Sequence, residues 1–249
     1  MQRVLSAEQI QANWEKLLQV IHHYISSPRK EQLLKLYNDM EETIVTSPAS
    51  SKAHFHNAFP GGYVDHVLRV ISCAIQTKKL WEAFNAEIDF TDEELIFSAL
   101  NHDLGKLGDG EKEGYVVQTD NWRRDKLKEN YTYNTDLQFM LIQDRSLYIL
   151  QKYGISCSMN EYLGIRLHDG IYDDANKAYF ITHMPEAKLR HNIVHILHQA
   201  DFLASKVEYD NWKKISDPSP KVKENKTIRQ KATQSLTSSE GLSNLIKNL

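Results

Sequence analysis

The stretch Thr91-Asp92-Glu93-Glu94-Leu95-Ile96-Phe97-Ser98-Ala99-Leu100-Asn101-His102-Asp103-Leu104-Gly105-Lys106 spells out a helix with its own start and stop. Thr91 and Glu94 have capping-box spacing: the threonine oxygen can serve one free N–H of the first turn while the glutamate reaches back to another. Leu95, Ile96, Ala99 and Leu100 then recur at the intervals of a buried helical face. The helix is expected to run to Leu104, with Gly105 in the left-handed position that closes many helices. Its last turn carries His102 and Asp103 side by side, with Lys106 just beyond.

Helical spacing continues on both sides. Residues from Ala7 to Ile25 place Ile10, Trp14, Leu17, Leu18 and Ile21 on one face. Ser27-Pro28 reads as a cap and first-turn proline for a second helix, whose face is Leu33, Leu36, Tyr37, Met40 and Ile44 and which ends before Ser47-Pro48. A loop mixing turn residues with Phe55, Phe59, His54 and His56 leads to Gly61-Gly62, where a helix starts and runs past Ile75 with His66 on it. Residues 106–135 have little periodicity and interleave Tyr115, Trp122, Tyr131 and Tyr133 with polar groups; a substrate-facing loop and a solvated insertion are both open, and a hairpin fits inside. Helices are expected again over residues 136–153, stopped by Gly154, then from the capping box Ser158–Glu161 to His168, and over residues 186–208. Residues 216–241, rich in Ser, Lys, Thr and Pro, predict disorder, and residues 242–249 a short terminal helix. The expected class is all-α: N-terminal helices over 1–45 packing on a domain over 46–212, with a flexible C-terminal tail over 213–249.

The chain has 249 residues, 25% of them charged and 41% hydrophobic, and a net charge of −3, which excludes a role in coating nucleic acid through bulk positive charge. Its two cysteines, Cys73 and Cys157, have no CxxC spacing, which suits small buried side chains in a reducing compartment. No apolar run approaches the roughly 20 residues that cross a bilayer, and the start is too quickly polar for a signal peptide. The expected setting is cytoplasmic, with no membrane partner.

His66, His102, Asp103 and Asp201 all fall on expected helices. Imidazole nitrogen and carboxylate oxygen are ligands for Mn, Fe, Co, Ni, Zn or Mg, and a mixed set leaves open positions on the ion. Spacing alone does not decide this. A lone helical histidine is more often hydrogen-bonded in the core or solvated, and a second His-Asp pair stands at His168-Asp169. His191, His195 and His198 share a face with Asp201, where a supporting role to the site is the expectation rather than a metal site of their own.

The runs Gly61-Gly62-Tyr63-Val64-Asp65-His66, Asn101-His102-Asp103-Leu104-Gly105-Lys106 and His198-Gln199-Ala200-Asp201, in that order and context, resemble the HD superfamily of metal-dependent phosphohydrolases. The resemblance covers about residues 48–210, and the stretch from His56 to His66 is most similar to HD domains associated with phosphodiesterases and exoribonucleases. It implies an HD-domain helical bundle around a divalent metal ion held by His66, His102, Asp103 and Asp201. It implies further that Asp103 can orient or deprotonate a water, that Lys106 faces substrate phosphate, and that His56 contacts phosphate or protonates a leaving group. His168 sits where two-metal members have another ligand, and it is an alternative proton donor. Those members carry one more histidine near residues 143–146, where this chain has Gln143 and Asp144. One tightly held ion is therefore expected, with Arg145 as a phosphate anchor or a solvated cation.

The implied activity is hydrolysis of a phosphoester, a nucleotide or a short oligonucleotide being the expected small-molecule partner, with homo-oligomerisation left open. Two alternatives remain: a di-iron HD-type oxygenase, which needs a fuller ligand set, and a non-catalytic nucleotide-binding module.

Overall fold

The structure, a computed structural model, describes residues 4–216. The expected tail and terminal helix lie almost wholly outside the described residues. Helices dominate: α1 (Ala7–Tyr24), α2 (Arg29–Asp39), α3 (Glu41–Thr46), α4 (Gly62–Ala83) and α5 (Asp92–Asn101) form the first half. A short hairpin of β1 (Tyr115–Val117) and β2 (Tyr131–Tyr133) encloses α6 (Asn121–Leu127). Then follow α7 (Ile142–Lys152), α8 (Met159–Leu167), the single turn α9 (Lys177–Phe180) and the long α10 (Asn192–Ser216). The all-α expectation holds. The hairpin is antiparallel, pairing Tyr115 with Tyr133 and Val117 with Tyr131.

Helices begin where local chemistry says they should. Glu94 N donates to Thr91 Oγ1 at 3.2 Å and Thr91 N donates to Glu94 Oε2 at 2.8 Å. The Ser158–Glu161 box closes in the same way at 3.2 and 2.8 Å. The α1 face Trp14, Leu17 and Ile21 is buried, as are Leu33, Leu36, Tyr37, Met40 and Ile44. All join one core with Val67, Val70, Phe97, Leu100, Ile149 and Leu197. Each fully buried leucine or isoleucine contributes about 1.5–3 kcal/mol. Cys73 and Cys157 are free thiols, half-buried against this core. Among the described residues no helix is long and apolar enough to cross a membrane.

Several boundaries differ from the sequence expectation. The second helix breaks at Met40 into α2 and α3. Ser27 does not cap it; its hydroxyl donates to the Glu31 carboxylate at 2.7 Å. The helix expected from residue 136 begins only at Ile142, because Asn134 Oδ1 accepts from Asp136 N and turns the chain into a loop. The last helix begins at Asn192 rather than near residue 186, because a remote carboxylate caps it: Asp89 Oδ1 accepts from Asn192 N at 3.2 Å.

Far from the histidines, Arg29 on α2 binds both oxygens of the fully buried Glu161 at 2.7 and 2.8 Å, pairs with Glu93, and lies 4.4 Å over the Phe97 ring. Burial pushes the Glu161 carboxyl up against the pull of Arg29. Arg29→Ala strands that carboxylate and is expected to cost about 3 kcal/mol at pH 8. The loss should shrink at pH 5: without Arg29 the Glu161 carboxyl rises further, and as pH falls through that raised value protonation removes the buried charge. Urea unfolding at the two pH values checks this; an equal loss at both would assign the effect to packing on Phe97.

Candidate metal centre

Three helices bring the sequence-selected ligands together. α4 supplies His66, the end of α5 supplies His102 and Asp103, and α10, which packs along α4, supplies Asp201. The turn before α4 needs its glycines. Gly61 has φ +78°, and a Cβ on Gly62 would lie 2.0 Å from the Asn57 carbonyl oxygen. His56 sits just upstream, its backbone N–H held by Ser50 Oγ at 3.3 Å.

The segment after α5 departs from expectation. The α-helix stops at Asn101, and Leu104–Leu107 is a 3-10 turn. Gly105 is not left-handed. It is required for a different reason: a Cβ there would lie 2.1 Å from the Ile142 carbonyl oxygen, so α7 packs directly on the turn. Ser146 Oγ accepts from Gly105 N at 2.8 Å. Arg145 donates from Nη1 to the Gly105 carbonyl at 3.1 Å and from Nη2 to the Gln138 carbonyl at 2.9 Å. Arg145 therefore braces the turn that carries His102, Asp103 and Lys106, and those donors do not reach into the histidine cluster. Tyr37 ties the N-terminal helices to the same place, its hydroxyl donating to the Leu100 carbonyl at 3.0 Å.

At the centre, His66, His102, Asp103 and His168 are buried, and the Asp201 side chain is 21% exposed. His66 Nε2 lies 3.2 Å from Asp201 Oδ1 and 3.5 Å from Asp103 Oδ2. His102 Nε2 lies 3.4 Å from Asp103 Oδ2 and 3.9 Å from Asp201 Oδ1. Neither imidazole nitrogen has an aligned hydrogen-bond partner, despite these short separations. The opposite nitrogens are all committed. His66 Nδ1 donates to Glu208 at 3.1 Å, His102 Nδ1 to the Ala99 carbonyl at 2.9 Å, and His168 Nδ1 to the Ile165 carbonyl at 2.8 Å. Those bonds place a proton on each Nδ1 and turn Nε2 inward, where it can offer a lone pair to an ion or, without one, carry a second proton facing the carboxylates.

Buried nitrogens without partners are costly unless something binds them. Inward imidazole nitrogens beside carboxylate oxygens are a donor set that suits a divalent ion. Ligand atoms each about 2.0–2.2 Å from one ion at tetrahedral to right angles stand roughly 2.8–3.6 Å apart; the 3.2, 3.4 and 3.5 Å separations lie in that range and the 3.9 Å between His102 and Asp201 is longer. Three overlapping groups have ligand atoms within 4.8 Å of one another: His66, His102 and Asp201; His102, Asp103 and His168; and His168, Asp169 and Asp201. The buried His/Asp residues can therefore hold a metal ion.

The electrostatics agree. Burial pulls the His66 imidazolium down, yet Glu208, Asp103 and Asp201 outweigh it and hold the group well above its usual range. His168 is raised to about 10 against burial, by Asp169, Asp103 and Asp201. Burial raises Asp103 and Asp201, but cations win: Lys106 and His102 hold Asp103 well below the carboxylate range, and His66 and His102 lower Asp201. The centre is a field that calls for positive charge.

Other sequence-selected residues sort clearly. Lys106 Nζ contacts Asp103 Oδ2 at 2.6 Å and lies 3.5 Å from His56 Nε2. The His56 ring is 4.8 Å from that of His66; burial, then the Lys106 and His66 charges, hold it well below the usual histidine range. His168 belongs to two of the three groups of candidate ligand atoms. His198 Nδ1 donates to the His168 carbonyl at 2.7 Å, whereas His191 pairs with Asp89 and His195 stacks on Trp81. Gln143 and Asp144 stay outside the cluster, Gln143 bonding Asp173 and Asp144 pairing with Arg166 at 2.9 Å. Arg123 is paired with Glu129, Arg124 bonds Asn121, and Trp122 is exposed.

Two residues were missed by sequence reasoning. Glu208 is 1% exposed and joins His66 to Arg69, whose Nε donates to it at 3.1 Å. Asp169 completes the third ligand group. The centre opens into a cleft of about 290 Å³ lined by His56, Asp103, Lys106, His168, Asp201 and Lys206, among others.

In comparison with known proteins, no family model, no curated protein and no solved structure matches the chain. Fold and site together define a helical protein with a buried histidine–aspartate centre able to hold a metal ion.

Proposed function

We propose that the protein is a metal-dependent phosphohydrolase of the HD type, acting on a small phosphoester such as a nucleotide. The helical frame and buried His/Asp cluster are compatible with an HD-like fold. One observation carries the reading: two buried imidazole nitrogens, His66 Nε2 and His102 Nε2, lack hydrogen-bond partners and face Asp103 and Asp201 beside an open cleft.

A divalent ion bound there polarises a phosphoryl oxygen and lowers the pKa of a water. His66, His102, Asp103 and Asp201 would hold it, with His168 adjoining them through the group it forms with His102 and Asp103. Asp103 points one oxygen at Lys106 and the other towards His168 Nε2 at 3.6 Å, so the same carboxylate can orient a water in the cleft. Lys106 places an ammonium at the cleft floor, where it offsets charge developing on phosphate. His56 lies beside Lys106 and can contact the same phosphate.

The test is phosphate release from a panel of nucleotides, cyclic nucleotides and short oligonucleotides with Mn²⁺ supplied. Turnover should stop on chelation and return when the ion is restored. The ion should also raise stability, by about 2.7 kcal/mol at 100 times its Kd, seen as a higher Tm. Turnover that survives full ion removal would overturn the reading. His168, Asp169 and Asp201 give a second ion a place, so ion content is measured alongside; two irons per chain with an iron spectroscopic signal would favour the oxygenase chemistry instead.

A further inference from the structure

The metal cleft does not end at the metal. A larger cavity of about 610 Å³ adjoins it, and Ile142, Asp169 and Tyr172 line both. The two walls differ in chemistry. The cleft carries Lys106, Lys206, His56 and His198. The adjoining cavity is lined instead by aromatic and aliphatic side chains, including Tyr133, Leu137, Phe139 and Met140. Phe139 is 80% exposed and Tyr172 73% exposed, so neither is spent on the core. Large exposed aromatics gathered around a concavity mark a binding surface.

Charge limits what can enter. Among the described residues lining the cavity, the carboxylates are Asp169 and Asp173 and the cation is Arg145. Arg145 is buried, and its Nη1 and Nη2 already serve the Gly105 and Gln138 carbonyls. A phosphate placed in this cavity would meet two carboxylates and one guanidinium already engaged by two backbone carbonyls. A neutral group meets aromatic faces, and Asp169, which lines both spaces, can accept from a ligand N–H or O–H, whereas Asp173 already accepts from Gln143 and Ala175. An alkyl chain offers no such donors. The volume is that of a pocket for one compact ligand, within the roughly 300–1,000 Å³ typical of small-molecule sites.

We infer that this cavity is the specificity pocket of the same site and takes the uncharged aromatic end of the substrate, so that the substrate is a mononucleotide-sized ester and not an oligonucleotide. The inference rests on the phosphohydrolase reading for where the phosphate sits. Tyr172 stands at the junction, its ring stacked 6.2 Å from Phe202 of the cleft wall, and Phe139 and Tyr133 offer the faces for the ring.

Calorimetric binding to the Mn²⁺-loaded protein tests it. The probes are the four common ribonucleoside 5′-monophosphates, ribose 5-phosphate, hexyl phosphate and a 5′-phosphorylated dinucleotide. The best mononucleotide should bind at least roughly ten-fold more tightly than ribose 5-phosphate, the usual scale of one base stacked on an aromatic side chain. Phe139→Ala and Tyr172→Ala should each collapse that preference several-fold while Tm stays within the error of wild type. The dinucleotide should bind no more tightly than the mononucleotide. Equal binding of ribose 5-phosphate and every mononucleotide overturns the pocket, as does a preference that survives both substitutions. Hexyl phosphate matching the mononucleotide overturns its aromatic character, and tighter dinucleotide binding overturns the size limit. Turnover is measured in parallel. A base preference without hydrolysis retires the hydrolase reading and leaves the pocket standing; hydrolysis without base preference does the reverse.

Discussion

On the proposed phosphohydrolase reading, Asp103→Ala should lower metal-dependent phosphate release by roughly 10³-fold or more, which corresponds to about 4 kcal/mol of lost transition-state stabilisation. The size follows from how many groups this one carboxylate serves. Its Oδ2 lies 2.6 Å from Lys106 Nζ, 3.5 Å from His66 Nε2 and 3.4 Å from His102 Nε2, while Oδ1 lies 3.6 Å from His168 Nε2. Alanine would remove a candidate metal ligand, release Lys106 from its partner and take away the oxygen best placed to orient a water. Asp103→Asn keeps the shape and loses the charge, so it should retain little more activity than alanine. Metal content after dialysis should fall together with turnover. A variant that hydrolyses substrate at the wild-type rate would remove Asp103 from the centre of the chemistry.

The parts of this molecule that were legible in its sequence are those governed by near neighbours along the chain. Thr91 with Glu94 and Ser158 with Glu161 announce helix starts because both partners of the cap lie within one turn. The buried faces of α1 and α2 are visible because helical periodicity repeats locally. Where a distant group decides, the signal disappears. Asn192 begins α10 because Asp89 caps it from across the fold, and nothing near residue 192 reports that. Gly105 reads as a helix stop, yet it is held by the approach of Ile142 from α7, which only packing reveals.

The candidate site divides in the same way. His66, His102, Asp103 and Asp201 stand out as a recurring order of residue types, and the structure gathers all four. The identity of the groups around them was less visible. Arg145 invites a phosphate-binding role by its charge alone, but its donors are taken by two backbone carbonyls, a fact about geometry and not about residue type. Glu208 reads as one more surface glutamate near the end of a helix. Its only local signal is its position seven residues after Asp201, two turns on and so on the same face. That face is the one α10 lays against α4, which is why Glu208 is buried while Tyr209 next to it is 38% exposed.

If His66 ligates the ion as proposed, Glu208→Gln is expected to weaken metal binding by about 10- to 100-fold, the usual effect of removing a carboxylate that orients such a histidine. The carboxylate accepts the His66 Nδ1 proton with both oxygens, at 3.2 and 3.1 Å, and at the same time accepts from Arg69 Nε at 3.1 Å. It thereby fixes which His66 nitrogen carries the proton, aims Nε2 at the ion position and makes the ring a better donor. Glutamine has one acceptor oxygen and an amide N–H₂. If the oxygen faces His66, the amide opposes Arg69, and the reverse orientation opposes His66, so either arrangement loses one bond as well as the charge. Phosphate release measured against Mn²⁺ concentration separates positioning from general damage. The half-saturating Mn²⁺ should move upward ten- to hundred-fold while the plateau rate stays within a few-fold of wild type, because saturating metal restores the occupied site. A lowered plateau with an unchanged midpoint would mean that Glu208 supports the fold and not the ligand. An unchanged curve would mean that the buried pair with His66 has no part in holding the ion.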